Sequence, residues 1–191
     1  MNLKEDWRKN KMEYMFRDLK ANEIDVRVSQ ITEEWLTLLL YKDARVDMDI
    51  LDETVGAMNW QRKHTRDNAN CIIEIWDNDK QQWVSKEDTG TESFTEKEKG
   101  LASDSFKRAG FNWGIGRELY TSPAIFIPRY AKDKNGNQIE LFEIKNNKDK
   151  ISTKTRFEVE AIEITDKVIT GLAIKNNKGL RVFTYKKGGK I

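Results

Sequence analysis

Lys107 and Arg108 are adjacent cations, and an aromatic ring follows three residues later at Phe111. This combination suits contact with a polyanion: lysine and arginine match phosphates, and an exposed ring offers a stacking surface to unpaired bases. At about 100° per residue, Leu101, Ala102, Ser105, Phe106, Ala109 and Trp113 gather into one apolar stripe, with Ser103, Asp104, Lys107, Arg108 and Phe111 on the far side. Arg45, Arg62, Lys63 and Arg117 are further cations that such a surface can recruit. Two competing uses stand beside this reading. Asp104 lies one turn before Arg108 and can neutralise it locally, and a neighbouring element or subunit can cover Phe111.

Catalytic chemistry is poorly supplied. His64 is the single histidine and has no carboxylate or cysteine motif beside it, and Cys71, followed by Ile72 and Ile73, reads as a core thiol. Asp43, Asp47, Asp49, Asp52 and Glu53 supply carboxylates for a magnesium-dependent nuclease, but helical spacing spreads them around the axis. The Gly114-Ile115-Gly116 string lacks both the strand before it and the lysine ending of a phosphate loop. No metal and no cofactor is expected, and the chain does not read as an enzyme.

Several elements must position these residues. The spacing predicts an opening helix over Leu3–Lys20 with an imperfect apolar face, an alternating segment from Asp25 to Ser29, and an apolar run from Trp35 to Tyr41 that suits strand or helix. Asp43 is placed to cap a helix running to Val55, with Ala44, Met48, Leu51 and Val55 on one face and Gly56 ending it. Trp60–Thr65, Cys71–Asp77 and Gln82–Asp88 read as three strands of a meander that the Thr95–Trp113 helix covers, and Gly110, Gly114 and Gly116 tighten or break that helix. Next come strands at Ala124–Tyr130 and Gln138–Ile144 around an Asn135-Gly136 turn, with Pro128 pointing to an edge or a bulge. A polar loop spans Lys145–Lys150. Strands at Phe157–Ile164, Val168–Ile174 and Leu180–Tyr185 make a second meander. The predicted class is α+β: an antiparallel β-meander packed on a long helix, with an N-terminal helix and a C-terminal antiparallel β extension.

The chain has 191 residues, enough for one ordinary domain, and its six Trp, eight Phe and five Tyr provide burial despite 35% charged residues. One cysteine excludes an internal disulfide and fits a reducing cytoplasm. The N-terminal MNLKEDWRKNK has no apolar core, and no run approaches the roughly 20 apolar residues of a membrane span, so neither export nor a membrane is expected. A net charge of +2 says little by itself. From residue 150 to the end, however, ten lysines and arginines stand against four carboxylates, and the plainest reading of that basic end is a solvated surface.

The string RVDMDILDETVGAMNW (45–60), Trp83 with Lys86 and Asp88, and EKEKGLASDSFKRAGFNWGIGRELY (96–120) together resemble the phage branch of the Rad fifty-two (Sak-like) single-strand annealing proteins, over about residues 43–125. The resemblance implies a recombination and repair protein, working without nucleotide hydrolysis in the cytoplasm of a bacterial host or its nucleoid. It implies subunits in a ring or filament that hold single-stranded DNA and promote its pairing, with a single-strand binding protein or an exonuclease as further partners. It carries DNA-binding roles to Arg45, Lys107 and Arg108. Residues 1–145 would form the annealing core and 146–191 a basic β-meander in or on the same domain. Two departures are Ala57, where eukaryotic members have an aromatic, and the absence of a further arginine near Phe111. The alternatives are a protein that shelters single-stranded DNA ends without annealing them, and the carboxylate nuclease.

Overall fold

The computed structural model describes residues 15–91, 97–147 and 150–189. It divides into two compact units that share the chain: Met1–Arg17 with Asp47–Ile115, and Asp18–Val46 with Gly116–Ile191. The class is mixed α+β with mostly antiparallel strands and, among the described residues, two α-helices. The elements in chain order begin with β1 (Asp25–Ile31), β2 (Trp35–Tyr41), α1 (Ala44–Val55), β3 (Trp60–Thr65), β4 (Asn70–Asp77), β5 (Gln82–Thr89) and α2 (Lys97–Trp113). The remainder are β6 (Ile125–Pro128), β7 (Tyr130–Lys132), β8 (Gln138–Glu140), β9 (Lys145–Asn147), β10 (Lys150–Ser152), β11 (Phe157–Thr165), β12 (Val168–Asn176) and β13 (Arg181–Lys186).

In the first unit β3, β4 and β5 form an antiparallel meander in that order. Side chains alternate across a strand, so the register puts Trp60, Ile75 and Val84 in one row, Arg62, Ile73 and Lys86 in the next, and His64, Cys71 and Asp88 in the third. Cys71, Ile73 and Ile75 are buried, and α2 covers this face with its own buried Ser105, Phe106 and Ala109. Each large apolar side chain so buried contributes about 1.5–3 kcal/mol. The covering is close because Gly90, just past β5, has no side chain. A Cβ there would lie 2.5 Å from the Ser105 nitrogen and 2.8 Å from the Leu101 oxygen.

The helix ends take the chemistry that the sequence suggests. Asp43 accepts the Arg45 N–H at 2.8 Å and so caps α1. The buried face of α1 is centred on Asp47, Ile50, Leu51 and Val55, one step around from the expected Ala44-Met48-Leu51-Val55 face. At the end of α2, Ile115 N–H donates to the Gly110 carbonyl and Gly114 N–H to that of Phe111. This closes the helix in a Schellman turn, which a residue with a side chain would strain at Gly114 (φ 100°).

In the second unit six antiparallel strands run β13-β12-β11-β1-β2-β6, so strands from the stretch 146–191 continue the sheet that β1 and β2 begin. The outer strands β13 and β6 also approach each other, as in a sheet curling towards closure. The β1–β11 ladder has a single pair, Asp25 with Glu158, and beside it a groove of about 250 Å³ opens between Val26, Val28, Arg156 and Phe157. Asn176 is buried and fully used: its amide donates to the Leu141 carbonyl, and its side-chain oxygen accepts from the N–H groups of Lys178 and Leu180.

Several expectations are corrected. Residues 3–14 of the opening helix lie outside the described residues, and 15–20 are not helical; a short 3₁₀ turn follows at Ala21–Glu23. There the Leu19 N–H donates to the buried Glu118 carboxylate at 2.7 Å. Pro128 sits at the end of edge strand β6, as its missing N–H requires, and the expected 124–130 strand breaks there and resumes as β7. The 138–144 strand stops at Glu140 because Leu141 and Phe142 turn into the core. The polar 145–150 segment contributes to a small ladder of β9 with β10. Among the described residues no helix is long and apolar enough to cross a membrane.

Replacing Gly90 with alanine is expected to lower unfolding stability by about 1–3 kcal/mol, because backbone rather than a flexible side chain blocks the new methyl. Urea unfolding with an unchanged m-value checks this.

Candidate functional site

The flanks of α2 carry the charge chemistry of the first unit. Phe106 reaches the β3 edge, where its ring lies 6.2 Å from that of Trp60 and the Arg62 guanidinium stands over it at 4.9 Å from the centroid. On the β5 side, Lys86 stands 4.4 Å over the Trp113 ring and donates to the Asn112 carbonyl at 2.9 Å. Trp113 in turn donates its indole N–H to the Ile73 carbonyl. A cation over a ring is worth about 0.5–2 kcal/mol, so both cations help to hold the helix on the sheet. Arg62 nevertheless remains exposed.

Lys107 and Arg108 face different surroundings. Arg108 leans to β5, with its Nε 3.4 Å from Asp88, and the same carboxylate accepts from the Asn112 amide at 3.2 Å. The neutralising residue is therefore Asp88 rather than the sequence neighbour Asp104, which accepts from the N–H and hydroxyl of Thr91. Lys107 is half-buried and makes no ion pair among the described residues. Phe111 is also half-buried.

On β3 the alternation separates Arg62 from Lys63. Lys63 lies on the opposite face and pairs with Glu74 at 2.8 Å. Glu74 also accepts from Gln61 and Ser85, and the Lys63 hydrogen bond, first among these, holds its carboxyl below the ordinary range. Beyond the strand, Arg66, Asp67 and Asn68 are three successive left-handed residues (φ 52°, 51° and 69°). The Asn68 carbonyl in this turn accepts the Ser105 hydroxyl at 3.0 Å. Arg66 projects from the turn, exposed. Sequence reasoning overlooked it, although a cation in a strand-connecting turn was a legible signal.

His64 and Cys71 sit side by side under the same end of α2. Burial pushes the Cys71 thiol to about 11, so it is not a ready nucleophile. Burial first, and the Arg62 charge second, lower the His64 pKa, against a backbone hydrogen bond at Asn70 that raises it.

Arg45 and Arg117 belong to the second unit. The Arg45 side chain is 86% exposed and lies only 3.8 Å from Asp43, while Arg117 is exposed on a 3₁₀ turn, Arg117–Thr121. Four of the five candidate carboxylates have structural work, and the fifth, Asp49, is exposed. Asp43 caps α1, Asp47 is buried against Gly110, Asp52 accepts the Trp60 indole N–H at 2.6 Å, and Glu53 pairs with Arg17 at 2.5 Å. Among the described residues no three His, Cys, Asp or Glu side chains gather into a metal-binding group.

No family model, no curated protein and no solved structure matches this chain.

The lowered His64 pKa has a defined sign. The folded protein favours the neutral ring, so the stabilisation is complete above the ordinary value of 6.5 and is lost as the pH falls through the lowered value. Wild type should therefore lose more unfolding stability than His64→Gln between about pH 7.5 and about pH 5, as chemical denaturation at the two values measures.

Proposed function

We propose that the protein binds single-stranded DNA without sequence preference and anneals complementary strands, without nucleotide hydrolysis. The observation that carries this reading is a set of cations in the first unit with no carboxylate partner among the described residues: Arg62, Arg66 and Lys107. Cations without a carboxylate partner are available to phosphates, and each phosphate neutralised releases counterions. The sequence resemblance to the Rad fifty-two (Sak-like) annealing proteins points the same way and adds Arg45 and Arg108. An antiparallel meander covered by a helix supports this reading at the level of fold class only.

In this proposal copies of the chain form a ring or filament, and phosphate contacts from successive subunits add along one strand. Two strands held extended, with their pairing edges outward, lose less entropy on meeting. The work takes place in the cytoplasm of a bacterial host during recombination and repair.

The cations are not equivalent. Arg108 is already neutralised by Asp88, so Arg108→Ala is expected to cost less binding than Arg62→Ala combined with Lys107→Ala. The double variant should bind oligo-dT more weakly and flatten the dependence of log K on log salt by about 1.4, from two lost contacts at about 0.7 each on a single strand. Fluorescence anisotropy at several salt concentrations reads both quantities, and annealing of complementary oligonucleotides should slow in parallel. Unchanged affinity and slope in the double variant would remove this assignment. Tight binding with no gain in annealing rate would leave only end protection.

A further inference from the structure

The six-stranded sheet of the second unit has an unfilled place at its middle. Past the single pair of Asp25 with Glu158, β1 and the chain entering β11 diverge, and on that side residues 26–31 have no backbone partner among the described residues. Such an edge is a row of N–H and C=O groups that water satisfies singly and another extended chain satisfies in register. A bulge between Val28 and Gln30 bends the far half of β1, so the straight open stretch is residues 26–28. The groove of about 250 Å³ beside it has an apolar floor. Val28 stands opposite the buried Leu38 and Val26 opposite Leu40, so both valines lie on the core side; both are nevertheless only half-buried, because the groove opens over them next to Phe157.

Charge divides the rim. At the closed end stand Asp25 and Glu158, and Glu158 is taken by Lys175 at 3.0 Å. Beyond them Lys154 and Arg156 are exposed, and neither makes an ion pair with a carboxylate among the described residues. The Lys145 amine lies within hydrogen-bonding reach of that of Lys154, which lowers the Lys145 pKa. Two ammonium groups held together favour an anion between them.

We infer that the groove receives an extended acidic segment of a partner protein: its backbone pairs with residues 26–28 of β1, its apolar side chains lie on Val26, Val28 and Phe157, and its carboxylates meet Lys154 and Arg156. Side chains alternate across a strand, so the fitting segment alternates apolar and acidic residues. Asp25 directs its carboxylates away from the closed end. A nucleic-acid strand would offer phosphates to the cations, but neither a ladder for β1 nor apolar side chains for the valines.

The probe is a short fluorescein-labelled peptide alternating valine and aspartate, with the same peptide carrying asparagine as its control. Wild type is expected to bind the aspartate peptide and to lose roughly tenfold on the control. Amide hydrogen exchange at residues 26–28 should slow when the aspartate peptide is added. Lys154→Ala with Arg156→Ala should weaken the peptide by a similar factor and leave oligo-dT binding unchanged, which separates this surface from the cations of the first unit. Absence of peptide binding overturns the inference. Binding that leaves exchange at residues 26–28 unchanged overturns the strand pairing and reduces the site to a cationic patch. If oligo-dT displaces the peptide and the double variant loses oligo-dT, the groove belongs to nucleic acid. If exchange at residues 26–28 slows with rising protein concentration and no peptide, a second copy of the chain is the occupant; either result likewise overturns the acidic partner.

Discussion

The contact on which the first unit depends is the close approach of α2 to the end of β5, where Gly90 leaves no side chain between the Ser105 and Leu101 backbone and the sheet. With small residues along the centre of the contact, the large rings of Phe106 and Trp113 fall to its two flanks. Arg62 and Lys86 come from the outer strands β3 and β5, and each lays a cation over one of those rings. The placement of positive charge beside α2 is therefore a consequence of packing. A helix standing further off would have brought its rings inward and left these cations without a face to lie on.

The same alternation decides which cations are neutralised. Lys63 is one residue from Arg62 yet on the opposite face, where Glu74 receives it together with Gln61 and Ser85. Arg108 is one residue from Lys107 yet reaches Asp88. In each adjacent pair one member is held in an ion pair and the other makes none among the described residues. A charge run in a sequence thus resolves into structural and available halves only when the faces are known.

The second unit solves a different problem. Six strands must close a sheet whose central junction, β1 with β11, is a single residue pair. The burden shifts to the neighbouring ladders and to polar nodes such as Asn176, which ties the β12–β13 turn to the Leu141 carbonyl. A buried amide with every group satisfied fixes one arrangement and penalises alternatives. On the opposite face of β2 and β6, Leu39, Tyr41 and Phe126 are exposed.

Local features were legible in the sequence because their causes are local. Asp43 caps α1 through its own side chain, Gly114 ends α2 because a left-handed residue is needed there, and Pro128 lies in an edge strand because it has no N–H to offer. The apolar stripe of α2 and the three strands beneath it follow from periods of 3.6 and 2. What the sequence could not settle is long-range. The Trp35–Tyr41 run is apolar at nearly every position, so its alternation is hidden until the buried Leu36 and Leu38 separate from the exposed Leu39 and Tyr41. Asp88 takes Arg108 from across the sheet, 20 residues away, where sequence spacing offered Asp104. Residue types and local periodicity determined α1, α2, the β3–β5 meander and the turns whose causes are local; tertiary structure alone decided which charges cancel and which rings reach water, because both depend on neighbours that only the fold supplies.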